Sequence, residues 1–450
     1  MTTVKIGFVP GKRDSRAYTN EWAMEMKRRT IAALADVPGL EIVTPDENLT
    51  QAGTVRNDDE ARQVIKLFRD EGVDGILIGG MDFSDEISSI LVAEAFPGVP
   101  VMVFATEEAP DLYLPTMEDQ TSDSFCGTLS IASGLYRRNI PYLFYGYCNP
   151  EDAAFVAAVG RFVRTCAVVR AFRGAYIGQI GPRPGAFETC AIDEKTLLST
   201  HGIRVIPMDT AIMQSAVKAL ADDDPAVVAV VSAIKAEANT EEIGADRLLD
   251  LAKAEVVVAR WAKEKQLAGV GAGFALPPYI QGRLTDQAIM VGFEVDIMGC
   301  LAMLMQYEAS LREEAPFLTD WNLKHPAHDD IFLAWHVGNA PPSMSSSEIR
   351  LDQRGMPHFK LQAGDVTFAR LEQYDGEYKM LLAKGKALEE GKAEEARFTW
   401  TWVEVEDLAK LYKTIGSNGF VHHASMIYGD QIEALVDACY FLDIEVVLVD

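Results

Sequence analysis

The sequence predicts an α/β protein in three parts: two doubly wound parallel-sheet domains, residues 1–150 and 151–325, and a β-rich C-terminal domain, residues 326–450. Three observations lead there. Short continuous Val/Ile/Leu runs alternate with amphipathic stretches through the first two parts, the pattern of parallel strands covered on both faces. A chain of 450 residues exceeds what one core organises. Beyond about residue 325 the runs shorten and alternate, as in antiparallel sheets.

In chain order, VKIGFVP (4–10) reads as a strand, followed by a helical pattern through NEWAMEMKRRTIAALADV. LEIVTP (40–45), the helix DEARQVIKLFRDEG, and the buried strands DGILIGG (74–80) and VPVMVFAT (99–106) complete the first unit. A long helix in PEDAAFVAAVGRFVRTCAVVRAF opens a second unit of the same kind. It continues with the apolar runs GAYIGQIGPRPG (174–185), IRVIPMD (203–209) and AVVAVVSAI (226–234). QAIMVGFEVD (287–296) then reads as a strand entering the helix MGCLAMLMQYEASL. In the last part YDGEY (374–378) carries the Asp-Gly signal of a tight hairpin. FVHHASMIYG, DQIEALVDACYFL and IEVVLVD close the chain as strand, helix and strand.

Apolar residues at 48% and charged residues at 24% are globular values. A formal charge of −26 argues against nucleic acid and against an anionic membrane surface as partners. Six cysteines stand singly without a CxxC pair, which signals neither structural zinc nor a disulfide framework and fits reduced thiols in the cytoplasm. The N-terminal MTTVKIGFVPGKRD enters a strand directly without a secretory apolar region, and no run is long enough for a membrane span.

Two places carry candidate chemistry. IGPRPG (180–185) follows a strand, but it lacks the Walker lysine and the dinucleotide glycine spacing, and its prolines remove donors; a tight turn is expected. In GFEVDIMGC, Glu294 and Asp296 stand two apart at the carboxyl end of a strand, where α/β sheets bind ligands. As strand residues they face one side about 6.5 Å apart. They could hold a cation, or Asp296 could simply cap the following helix. His325, His328, His336, His358, His422 and His423 crowd the last third. In a strand His422 and His423 point to opposite faces, and His336 sits at a strand end in WHVGN beside Asn339. An acidic pair with strand-end histidines permits a mixed oxygen and nitrogen site suited to manganese or a similar ion.

GQIGPRPGAFETCAIDE (178–194), GFEVDIMGCLAMLM (292–305), AWHVGNAP (334–341), DVTFARLEQYDGEYKMLLAKG (365–385) and GFVHHASMIYGD (419–430) together resemble the L-fucose isomerase and L-arabinose isomerase superfamily, in order and across nearly the whole chain. The resemblance implies an aldose–ketose isomerase working through an enediol with a Mn2+-like ion. It makes Asp296 both a ligand and a proton-transfer group, and Glu294, the nearest other acid, is this chain's own candidate for a second catalytic acid. His423 and, by a looser match, His336 become further ligands, while His422 and Asn339 fall to the sugar. It implies a homo-oligomer, a trimer or hexamer, in which Arg16 or Asp14 of GKRDSRA reaches the substrate of a neighbouring copy. Members related to fucose isomerase usually carry a further glutamate in a Trp-Pro-Glu-like segment, where this chain reads GVGAGFALPPY (269–279) with no carboxylate. That departure predicts weak or absent activity on plain fucose and arabinose and activity on another, possibly modified, sugar. A lyase, transferase or epimerase on such a sugar, or a sugar-binding protein without turnover, stays open at this point.

Overall fold

The computed structural model describes residues 2–16, 19–108, 122–392 and 396–449. The chain forms two compact units, Met1–Arg170 with Tyr440–Leu442, and Ala171–Cys439 with Asp443–Asp450.

The first unit is built on the strands β1 (Val4–Gly11), β2 (Leu40–Val43), β3 (Gly75–Gly80), β4 (Val101–Thr106) and β5 (Leu143–Cys148), parallel in the order β2-β1-β3-β4-β5. Both β3 and β4 are buried at every residue, which is why they read as unbroken apolar runs. The helix Asp58–Glu71 illustrates the local code. Asn57 caps it by accepting from the Asp59 and Glu60 amides, Ala61, Val64, Ile65 and Phe68 face the core, and Gly72 ends it at φ 67°.

The second unit begins with β6 (Tyr176–Ile180), β7 (Arg204–Met208), the short β8 (Ala238–Asn239), β9 (Gly269–Ala272) and β10 (Met290–Phe293). Four of these make a parallel sheet in the order β10-β9-β6-β7. Two expectations need correction here. The run 226–234 lies inside a helix, Pro225–Glu237, because Asp224 caps it from Ala226 N and Pro225 takes the first helical position, a start signal that outweighs the β-branched valines. The strand expected through 287–296 stops at Phe293, since Glu294 and Val295 both turn left-handed, with φ 59° and 61°.

The C-terminal part contributes β11 (Phe317–Lys324), β12 (Ile331–His336), β13 (Ile349–Leu351), β14 (Pro357–Lys360), β15 (Gly364–Tyr374), β16 (Glu377–Ala387), β17 (Thr399–Glu404), β18 (His423–Tyr428) and β19 (Glu445–Val449). Antiparallel pairing runs β16-β15-β18-β11-β12-β17, and β17 pairs back onto β16, closing a six-stranded barrel. The Asp-Gly hairpin joins β15 to β16: Tyr374 pairs with Glu377, and Asp375 and Gly376 both have positive φ, as a type I′ turn needs. Two α/β sheets followed by a β-rich barrel match the fold class expected from the sequence.

Between the second parallel sheet and the barrel lies the helix Ile297–Ala309, buried along almost its whole length, so apolar residues occupy every face. Its buried Gln306 is satisfied on both ends: Nε2 donates to Thr367 O at 2.9 Å and Oε1 accepts from Ser425 Oγ at 2.6 Å. These bonds tie the helix to β15 and β18. All six cysteines are free, and among the described residues no helix is long and apolar enough to cross a membrane.

Candidate active site

Four backbone segments of the second unit converge on His423. It opens β18, pairs in register with Asp320 of β11, and Asp320 in turn pairs with Trp335, one residue before His336 at the end of β12. The fourth segment is the turn after β10. There Glu294 and Val295 hold left-handed conformations unusual for non-glycine residues, and doubly so for β-branched valine. Two consecutive reversals break the strand alternation, so Glu294 and Asp296 do not share a face. They approach His423 from its two different nitrogens.

Asp296 takes the inner side. Its Oδ1 caps the helix by accepting from Gly299 N at 2.8 Å, and Oδ2 meets His423 Nδ1 at 2.9 Å and accepts from Arg370 Nη1. Glycine at 299 allows this approach, because a Cβ there would sit 2.6 Å from Asp296 Oδ2. Arg370 is fully buried and its Nε also donates to Glu372 Oε1 at 2.8 Å. Burial alone would raise the Asp296 carboxyl, but Arg370 and His423 outweigh it and hold the group far below the carboxylate range. Both Asp296 oxygens thus already accept hydrogen bonds within the chain. In this arrangement Asp296 orients His423, and the helix-capping alternative is observed.

The outer side carries the open groups. Glu294 Oε2 stands 3.2 Å from His423 Nε2, and Asp320 Oδ1 stands 3.8 Å from that nitrogen and 3.8 Å from His336 Nε2. Asp320 Oδ1 and His423 Nε2 are buried without hydrogen-bond partners. Burial pushes the Asp320 carboxyl up to about 6, and Glu294 adds to the effect against the opposing pull of His423. His423 behaves in the opposite sense: burial disfavours its charge, yet Asp296 and Glu294 hold it up to about 9. His336 is buried and neutral, driven well below its usual range by desolvation. Its ring lies 5.6 Å from that of His423.

Of the residues expected at the site, Glu294, Asp296, His336, His422 and His423 do assemble. The opposite-face expectation for the histidine pair is corrected: His422 precedes β18 rather than lying in it, and its ring centroid is 4.2 Å from that of His423, with Phe187 edge-on at 5.7 Å. Asn339 is buried; its Nδ2 donates to Leu318 O at 3.0 Å and holds β11, while its Oδ1 is left without a hydrogen-bond partner. Arg16 and Asp14 belong to the first unit, where they pair with Asp123 at 3.2 Å and Arg56 at 3.1 Å, while Ala17 and Tyr18 of the same loop lie outside the described residues. Asp320, Arg370 and Glu372 escaped the sequence reading. Their signal was present, as charged residues inside the apolar strands FLTDW and FARLEQY.

Three sets of side chains lie close enough to hold a cation: Cys190, Asp296 and His423; Glu294, His422 and His423; and Asp320, His336 and His423. The first is unsuited, since Asp296 is engaged and burial pushes the Cys190 thiol up to about 12. The other two share His423 Nε2 and merge into one oxygen-and-nitrogen donor set. Beside them opens a cavity of about 300 Å³ lined by Gly181, Pro182, Pro184, Phe187, Phe274 and Glu294. That volume suits a hexose. The absence of a carboxylate in 269–279 thus leaves the site with two open acids, because Asp320 supplies the second.

The chain matches the family model described as the fucose/sulfoquinovose isomerase N-terminal domain over residues 7–173 and that of the L-fucose isomerase C-terminal domain over residues 353–450. It is 23% identical over 432 residues to sulfoquinovose isomerases of Priestia aryabhattai and Priestia megaterium, covering 90% of this chain and 90% of each relative. A sulfoquinovose isomerase of Alkalicoccus urumqiensis is 22% identical over 382 residues, 79% of this chain and 82% of the relative.

Proposed function

Because this chain belongs to the fucose isomerase-like family and is a sugar aldose–ketose isomerase, we propose that its substrate is a sulfonated hexose of the sulfoquinovose kind and that it works with a divalent cation such as Mn2+. The observation that carries the proposal is the convergence of Glu294, Asp320 and His423 Nε2 beside a hexose-sized cavity, with Asp320 Oδ1 buried and lacking a hydrogen-bond partner. Glu294, Asp320 and His423 would hold the ion, with His336 flanking, and a bound ion would polarise two adjacent sugar oxygens.

The chain's own groups account for the rest. Isomerisation moves a proton from C2 to C1 while a hydroxyl proton passes between the neighbouring oxygens. Glu294 and Asp320, on separate backbone segments, are the acid–base pair for those two transfers. The Asp320 carboxyl, whose protonated form burial favours in the ion-free chain, is placed to accept and return a proton. Asp296 receives the Nδ1 hydrogen of His423, which fixes the ring and leaves Nε2 directed outward. His422, exposed at the cavity side of His423, is a hydrogen-bond partner for a sugar hydroxyl. A homo-oligomer in the cytoplasm belongs to the same proposal, with Arg16 or Asp14 serving the site of a neighbouring copy.

The test is direct. Incubation of the purified chain with sulfoquinovose and Mn2+, followed by NMR, should show the corresponding 2-ketose, with L-fucose and L-arabinose turned over at least tenfold less efficiently. Equal turnover of the plain sugars would refute the substrate.

A further inference from the structure

A sulfonated sugar presents a difficulty to this cavity. The sulfonate is negative at every working pH, and the site already faces it with two open carboxylates. Recognition requires a cation away from Glu294 and Asp320. Arg370 cannot serve, being fully buried and engaged by Asp296 and Glu372.

Arg183 can. It lies in the turn after β6, between Pro182 and Pro184, and both of these prolines line the cavity that reaches Glu294. Its Nη1 donates to Phe187 O at 2.9 Å and to Pro184 O at 3.4 Å, which holds the guanidinium on the loop whose Pro182, Pro184 and Phe187 wall the cavity, although Arg183 does not itself line it. Among the described residues no carboxylate pairs with it. Two carbonyl contacts at one nitrogen leave the Nε and Nη2 donors available, a fork that matches two sulfonate oxygens. The loop is stiff: two prolines restrict φ, and Gly181 turns at φ 72° where a Cβ would lie 2.4 Å from Thr210 Oγ1. The tight turn expected at IGPRPG is therefore also a rigid mount for one arginine.

We propose that Arg183 is the residue that recognises the sulfonate and so sets the preference for a sulfonated over a plain hexose. This rests on the substrate reading given above. The experiment compares wild type, Arg183→Gln and Arg183→Lys on sulfoquinovose and on 6-deoxy-D-glucose, which lacks only the sulfonate. In Arg183→Gln, KM for sulfoquinovose should rise roughly 10- to 100-fold, the loss of a charge-assisted contact, with kcat within about threefold. The kcat/KM on 6-deoxyglucose should stay unchanged, and Arg183→Lys should recover part of the loss. Wild type active on sulfoquinovose with an unaltered KM in Arg183→Gln overturns the assignment alone, as does an equal fall on both sugars. Wild type that neither binds nor converts sulfoquinovose overturns the substrate reading and the assignment with it.

Discussion

Asp320 Oδ1 and His423 Nε2 face each other at 3.8 Å, both buried and both without a hydrogen-bond partner. Buried polar atoms are normally satisfied, and two orphans aimed at one point indicate a site kept open for a ligand. Register pairing between β11 and β18 fixes them there, independently of the helix that carries Asp296.

Replacing Asp320 by Asn should remove one of the two acids while keeping its volume. Turnover is expected to fall by about 10²–10⁴-fold. Thermal stability should hold or rise, because a carboxyl already strained by burial is relieved. Steady-state kinetics and a melting curve measured on the same preparation check both halves.

Arg370→Met probes the inner side of the site. It would leave Asp296 buried with its charge only partly compensated, and the expected loss is about 3–5 kcal/mol of folding stability by urea titration. Asp296→Asn keeps the helix cap but loses the charge on His423 Nδ1. Mn2+ affinity is then expected to drop about 10- to 100-fold with a smaller effect on stability.

A separate pH effect resides in the core of the second unit. His201 is 5% exposed between the rings of Phe172 and Tyr378 at 5.1 and 4.8 Å, and burial followed by Arg173 lowers its pKa to about 4. The folded state thus prefers neutral His201, so its stability is complete above the unfolded value near 6.5 and is lost as pH falls from there towards 4. Unfolding free energy should decline by about 2 kcal/mol between pH 7 and 4.5 from this group, and His201→Phe should remove that part of the decline.

Much of the fold was legible because its signals are local. β3 and β4 are unbroken apolar runs, and Asp375-Gly376 marks its hairpin without help from the rest of the chain. The run 226–234 is ambiguous in isolation, because its valine density masks the Asp224-Pro225 start signal of a helix. At the site, the two-residue spacing of Glu294 and Asp296 was visible, but its meaning depended on left-handed backbone at Glu294 and Val295, which no alternation pattern encodes. Asp320 was overlooked for a different reason. Its partners, His423 above all, come from distant segments, and barrel closure alone brings them together.

Mn2+ binding to chelator-stripped protein, followed by electron paramagnetic resonance in wild type, Glu294→Ala, Asp320→Ala and His423→Ala, tests the central claim most directly. One site in the wild type, weakened at least 100-fold by each substitution in protein that still melts cooperatively, is the expected result. Wild type that binds no Mn2+ and isomerises sugar equally well after stripping, or variants that bind as tightly as wild type, would contradict it.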